Sequence, residues 1–251
     1  PGEGASAITA NLVTAGLLKD PVLFLNYLTY YDLDGGLVSG TYLLDPLATI
    51  PELADSLGTG RSQRLELSFL PCWRSEEMAH YLRVVAPAQI DADAFLDVVA
   101  SRRGLSGSYS FLGALPEGAS LEGYLFPGAY PIGRDTTAPV LVDLMLTRFD
   151  EQVTPATRQA YGALGLSLRD AVILASIIQR EAALDEEKPL MAAVFLNRLR
   201  AGMPLQADPT VQYALGYDEA SATWWKVPLS AGDLLVRSPY NTYLFGGLPP
   251  G

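Results

Sequence analysis

Glu181 is the residue from which chemistry follows most directly. It closes the run Ala171-Val172-Ile173-Leu174-Ala175-Ser176-Ile177-Ile178-Gln179-Arg180-Glu181, whose spacing predicts a helix. On a 3.6-residue repeat its same-face neighbours are Ile178, Ile177 and Leu174, and Leu184 extends the stripe. A carboxyl among branched aliphatics loses solvation of its charged form. Its pKa then rises toward the range a general acid needs near neutrality. Asn197 projects in the same way from the face of Leu190, Ala193 and Val194 in the next helix. An amide and a carboxyl turned inward from successive helices imply a polar pocket whose groups a substrate would satisfy. Helix geometry alone leaves a second arrangement open, in which Glu181 reaches water at the helix end or pairs with Arg198 or Arg200.

Few other residues compete for acid-base work. One cysteine, Cys72, excludes an internal disulfide and any multi-cysteine metal site, and one histidine, His80, excludes a zinc site of several imidazoles. A nucleophile-histidine-acid triad would have to use His80, which sits in the amphipathic stretch Glu76-Glu77-Met78-Ala79-His80-Tyr81 and reads as a surface residue. Neither a metal nor a cofactor is expected. The net charge of −11 argues against a nucleic-acid partner, whose phosphates call for clustered Lys and Arg. Further on, Leu205-Gln206-Ala207-Asp208-Pro209-Thr210-Val211-Gln212-Tyr213 and Ser238-Pro239-Tyr240-Asn241-Thr242-Tyr243 read as loops dense in amides, hydroxyls and rings. Sugar sites use that mixture, and ordinary turn chemistry explains Asp-Pro and Ser-Pro equally well.

The elements that must position these residues follow from periodicity and punctuation. A weak repeat, proline then an apolar residue seven on and leucine four further, occurs as Pro1-Ile8-Leu12, Pro46-Leu53-Leu57 and Pro71-Met78-Leu82. Each i, i+4 pair starts the buried face of a helix, and the alternating segments 40–44 and 64–69 before the later copies read as strands. A short helix is expected from Asp91 to Ser101, followed by the Gly/Ser-rich joint 103–108. That joint divides a first region, 1–105, from a second, 106–251. The second opens with a loop, Leu121-Glu122-Gly123-Tyr124-Leu125-Phe126-Pro127. A helix follows over about 139–153, with Val140, Leu141, Leu144, Met145 and Phe149 on one face. Ser167, with Asp170 three residues on, caps the helix that ends at Glu181. The next helix, about 186–201, stops at Gly202 and Pro204. The fold class expected is α+β: small strand-helix modules, then a mixed α/β domain with a central helix pair. No stretch approaches the ~20 apolar residues of a membrane span. The chain begins at Pro1, so an upstream segment is expected.

LEGYLFPGAY (121–130), ASIIQREA (175–182), AAVFLNRLRAGMPLQADPTVQYALG (192–216) and SPYNTYLFGGLPPG (238–251) together resemble the YceG-like family of endolytic peptidoglycan transglycosylases. More loosely, SGTYLLDPLATIPELADSL (39–57) resembles that family's LysM-like module. The resemblance implies a lytic transglycosylase. Such an enzyme cleaves the β-1,4 bond between N-acetylmuramic acid (MurNAc) and N-acetylglucosamine (GlcNAc) without water and leaves 1,6-anhydro ends. One glutamate suffices for this, whereas ordinary glycosidases need two carboxyls. The family's catalytic glutamate falls on Glu181. Asn197, Gln206, Asp208, Thr210, Tyr240, Asn241 and Thr242 carry over as cleft residues, with Glu122 as a further candidate or a residue that holds its loop. Where many relatives have a second glutamate this chain has Gln179. Pro127-Gly128-Ala129-Tyr130 and Pro71-Cys72-Trp73-Arg74 also depart from the family pattern. The partners implied are peptidoglycan strands and cell-wall synthases, and the place implied is the outer side of the cytoplasmic membrane, held by a single anchor outside this chain. The family continues beyond Gly251, so the catalytic domain is expected to be C-terminally incomplete. Two other functions fit the same residues: a peptidoglycan-binding scaffold without activity, and a hydrolase using Glu181 with Asp208 or Glu122.

Overall fold

The computed structural model describes residues 3–40, 42, 44–59, 65–87, 89–133 and 136–251. It is mostly helical, with one two-stranded antiparallel sheet among the described residues. Helix therefore dominates more than the α+β expectation anticipates, in the second half above all. No single helix among the described residues is long and apolar enough to cross a membrane.

Three helices open the chain: α1 (Ala5–Thr14), α2 (Pro21–Tyr30) and α3 (Ile50–Thr59). They bury Leu12, Phe24, Leu28, Leu53 and Leu57 against one another. Leu53 and Leu57 are the i, i+4 pair that the repeat assigns to a buried face; in the first copy Leu12 is buried and Ile8 half-buried. The expectation misses α2, although Asp20 caps it by accepting from Leu23 N at 2.9 Å and Pro21 takes the first helical position. The strand expected over 40–44 falls in part on Thr41 and Leu43, which lie outside the described residues, as do Pro1 of the first repeat and Arg64.

Strand β1 (Leu65–Phe69) alternates as expected, with Leu67 and Phe69 buried and Glu66 and Ser68 exposed. Its partner, β2 (Gly128–Ile132), runs antiparallel, with Leu67 opposite Tyr130 and Phe69 opposite Gly128. Between them lie α4 (Ser75–Val85), burying Met78 and Leu82, and α5 (Ala92–Ser101), capped by Asp91. Helix α6 (Ala138–Gln152) closes this core. Its buried stripe is Leu141, Val142, Met145, Leu146 and Phe149, while Val140 and Leu144 are exposed. The face is turned by about one residue from the expected one, because α6 packs on α5 and β2 together. One apolar core thus runs from Leu67 to Phe149, across the joint at 103–108.

A third cluster forms from α8 (Leu168–Glu181), α9 (Lys188–Arg200) and Leu205 and Ala207 beyond them; α7 (Pro155–Ala163) leads into α8. Helix α9 ends as Gly202 foretells: Gly202 N bonds Leu199 O and Met203 N bonds Arg198 O, with Gly202 at φ +66. Residues 205–213, expected as a loop, instead start α10 (Asp208–Leu215). Asp208-Pro209 reads as a turn in isolation, yet proline is compatible with a first helical turn and the acid suits its N-terminal end.

Arg74 ties the sheet unit to this last region. It is 7 % exposed, forms a bidentate pair with Glu76 at 2.8 Å, and donates to the Tyr213 carbonyl at 3.2 Å. Its guanidinium lies over the Tyr213 ring at 4.2 Å and the Trp224 ring at 4.8 Å. Beside it, Glu77 accepts from both Arg74 N and Trp225 Nε1 at 3.0 Å. Arg74→Ala is expected to lower stability by about 2–3 kcal/mol in urea unfolding, since it strands Glu76 and the half-buried Tyr213 carbonyl. Arg74→Lys should recover only part of that loss, because an ammonium cannot form the planar fork. A wild-type midpoint for Arg74→Ala would contradict this role.

Candidate active site

Helix α8 carries Glu181 as its last residue. Its start is fixed by a capping box: Asp170 N bonds Ser167 Oγ at 3.1 Å, and Ser167 N bonds Asp170 Oδ2 at 3.2 Å. Ile173, Leu174, Ile177 and Ile178 are buried along it, each contributing about 1.5–3 kcal/mol of hydrophobic stabilisation. Glu181 itself is exposed, and Leu184 is 60 % exposed. This corrects the picture of a carboxyl held among hydrocarbon. The aliphatic neighbours lie beneath Glu181, and the chain leaves the packed seam at Ala182, which takes extended backbone angles. The alternative pairing is also not seen for Arg198, which donates to the Leu205 carbonyl. Enough protein surrounds the Glu181 carboxyl to raise its pKa, through partial burial first and the nearby Asp208 charge second. Water still reaches this exposed group and screens both effects.

Asp208 comes to Glu181 through a chain of positioning contacts. Leu205 and Ala207 are fully buried, and the backbone between them passes through Gln206 at φ +54. Gln206 N bonds Thr242 O at 3.1 Å, and Ala207 N bonds Thr242 Oγ1 at 3.1 Å. Thr210 Oγ1 meets Thr242 Oγ1 at 2.9 Å and donates to Ala207 O at 2.6 Å. Asn241, with no exposed surface, donates to the carbonyls of Leu234 at 3.0 Å and Val236 at 2.9 Å, and its Oδ1 accepts from Tyr243 N at 2.9 Å. Tyr243 then donates from its hydroxyl to Asp208 Oδ1 at 2.7 Å. That bond, with burial second, pushes the Tyr243 phenol up to about 12. Thr210, Asn241 and Thr242, expected in a cleft, are buried and bond the loop, and Thr210 also lines the cavity described below. Gln206 and Asp208 are exposed, and Asp208 lies near Glu181.

Asn197 does not turn inward. Leu190 is 70 % and Val194 43 % exposed, and Asn197 lies exposed with them. Helix α9 packs instead through Phe195, with Met191, Ala192, Leu196 and Leu199 against the same cluster. The apolar face read from spacing is the outer one.

Glu122 and Tyr240 line a cavity of about 460 Å³ between the sheet unit and α8, which Thr210 also borders. Val172, Ala175, Ser176, Ile177, Gln179 and Arg180 of α8 line it, together with Pro209 and Thr210, which follow Asp208. Gly123 lets the 121–127 loop lie directly on α8: its φ is +84, and a Cβ there would stand 2.8 Å from Val172 Cγ1. Glu122 accepts from Ser75 N at 3.1 and 3.3 Å through its two oxygens. Burial, opposed in part by that bond and reinforced by Glu76, raises its pKa. Tyr240 tilts against Tyr213 with ring centroids 4.9 Å apart. Sequence reasoning names Tyr243, Arg74 and Tyr213 only within longer segments and gives them no individual role. Only Tyr243 carries a local signal, as the ring that follows Asn241-Thr242; the other two gain their places from contacts distant in sequence.

The comparisons with known proteins fall on this arrangement. The chain is 31 % identical over 271 residues to the endolytic murein transglycosylase of Streptococcus pneumoniae serotype 2 strain D39, covering 100 % of this chain and 48 % of that protein. It is 36 % identical over 132 residues to the endolytic murein transglycosylase of Bacillus subtilis strain 168, covering 52 % of this chain and 34 % of that one. It thus spans about half the length of the pneumococcal relative. The 2.6 Å crystal structure of the yceG-like protein lmo1499 of Listeria monocytogenes superposes with a TM-score of 0.66 at 26 % identity, covering 100 % of this chain and 82 % of that one. The profile of the YceG-like family matches residues 1–251, and the chain belongs to that family.

Proposed function

We propose that this chain contains the catalytic machinery of a lytic murein transglycosylase, with Glu181 as its proton-transferring carboxyl. The observation that carries the reading is the grouping of Glu181, Asp208 and Tyr243: one carboxyl biased toward keeping its proton, beside another fixed by a hydroxyl. In the reaction Glu181 protonates the glycosidic oxygen as the bond to MurNAc C1 breaks, and the GlcNAc hydroxyl departs. The MurNAc 6-hydroxyl then attacks C1 and returns its proton to Glu181, closing the 1,6-anhydro ring without water. Asp208 opposes ionisation of Glu181 and faces the positive charge that develops at C1. Exposure suits a polymer substrate, which must reach the carboxyl from outside and, once bound, displaces its water. Residues 1–105 supply the LysM-like, glycan-holding part and 106–251 the catalytic part, joined by the shared β1–β2 core. Such an enzyme works outside the cytoplasmic membrane, where peptidoglycan lies beside the cell-wall synthases.

The proximity of Asp208 also favours a second reading, a two-carboxylate hydrolase. The products separate the two. Mass spectrometry of digested sacculi is expected to give anhydro-muropeptides, whereas hydrolysis adds one water to each new end.

Glu181→Gln is expected to reduce product release by at least about a thousandfold while leaving the melting temperature unchanged. An active variant would end the assignment. Asp208→Asn removes the negative charge that raises the Glu181 pKa, so less Glu181 is protonated at neutrality. The alkaline limb of the rate-pH profile should move to lower pH; a limb that stays in place would show that Asp208 does not act on Glu181.

A further inference from the structure

Arg180 stands directly before Glu181 on α8, yet its guanidinium is laid over the Trp225 ring, 3.7 Å from the centroid. It joins no ion pair among the described residues, although two carboxyls are close by. Glu181 is next in the chain, and Pro209, which follows Asp208, borders the same cavity as Arg180. The charged and titratable groups on the other elements around Glu181 are engaged elsewhere. Arg198 of α9, whose charge is felt with that of Glu181 at the Tyr243 phenol, donates to the Leu205 carbonyl. Asp208 at the start of α10 accepts from the Tyr243 hydroxyl at 2.7 Å. Past the helix end, Lys188 pairs with Asp185 at 2.6 Å, and Glu187 accepts from the Ala183 and Leu184 amides at 3.1 Å. Trp225 is itself fixed. Its indole N–H donates to Glu77 at 3.0 Å and its backbone N–H to Thr223 Oγ1 at 3.1 Å. The carbonyl of Lys226, one residue on, accepts from the buried Gln212 side chain at 2.9 Å.

We propose that Trp225 is a positioning residue for Glu181: backed by Glu77, its ring detains the Arg180 guanidinium and keeps a cation off the Glu181 and Asp208 carboxyls. Successive helical positions diverge, so the ring can take the guanidinium on one side while the carboxyl stands on the other. A cation on a partly desolvated indole is held at least as well as in an exposed ion pair, which gains little in water. Freed from the ring, a long arginine side chain has two partners, and both act in one direction. Paired with Glu181, it favours the ionised carboxylate. Paired with Asp208, it cancels the negative charge that opposes that ionisation. Either way the acid gives up its proton at lower pH. The importance of this for catalysis rests on the reading of Glu181 given above; the electrostatic claim concerns the carboxyl itself.

Carbon-13 NMR of the Glu181 carboxyl in the full chain tests this without turnover. Trp225→Leu, which removes the ring face, should lower the Glu181 titration midpoint by about one pH unit. Adding Arg180→Gln to Trp225→Leu should bring the midpoint back to within about 0.3 pH unit of wild type. Two readings need no change at Trp225, and they decide the matter if Trp225→Leu fails to fold. In the wild type the Arg180 side-chain protons should be shifted upfield by the indole ring current. Arg180→Gln alone should leave the midpoint within about 0.3 pH unit, because the cation it removes is already detained. An unmoved midpoint in Trp225→Leu, a fall that Arg180→Gln does not reverse, a larger shift in Arg180→Gln alone, or Arg180 protons at ordinary positions would each overturn the proposal. The alkaline limb of the rate-pH profile should follow the midpoint to lower pH in Trp225→Leu. Cleavage that survives in Glu181→Gln would end the catalytic reading and leave the detention of Arg180, read from the midpoints, standing.

Discussion

Two buried threonines carry more of this site than any acidic residue does. Thr210 and Thr242 meet through their hydroxyls, and the backbone on either side is bonded to them, so that segments 206–210 and 241–243 become one piece. Buried hydroxyls left without partners cost free energy, on the order of 1–3 kcal/mol each. The pairing therefore has few tolerable alternatives. From it follows the position of Asp208 at the start of α10, the reach of the Tyr243 hydroxyl to that carboxylate, and the field at Glu181. Asn241 reinforces the same geometry by spending all its bonds on the loop.

Helix α8 divides the chemistry into two sides. One end presents Glu181 to solvent with Asp208 beside it. The length of α8 from Ala171 to Arg180 forms a wall of the cavity that Glu122 lines. Both sides depend on the sheet unit, because Arg74 and Glu77 grip the 213–225 segment and Trp225 in turn lies under Arg180, one residue before Glu181. A displaced α4 would be felt on α8 through that contact path.

Much of this was legible locally. Ser167 with Asp170, Gly202 with Pro204, the alternation of β1 and the i, i+4 pairs of α3 and α4 are each decided within a few residues, and each formed as read. What failed was the direction of exposure. Spacing correctly makes Glu181 a neighbour of Ile177 and Ile178, and Asn197 a neighbour of Val194. It does not say where a packed seam ends or which of two apolar faces of α9 finds a partner, and Phe195 won over Val194. Strand β2 was invisible for a related reason: Gly128 and Pro131 are weak strand formers, and only pairing with β1, far back in the chain, makes them one. The resemblance to the family singled out Glu181 as the expected acid, and it could not show that Thr210, Asn241 and Thr242 are buried and bond the loop.

The central claim is that the protein biases Glu181 toward its protonated form and that a bound glycan completes the effect by removing water. Carbon-13 NMR of the Glu181 side-chain carboxyl, titrated with and without a bound murein fragment, measures this directly. The account predicts a midpoint above the ordinary glutamate value of about 4.3 in the free protein, rising further when the fragment is bound. A midpoint at or below the ordinary value in both states would contradict it.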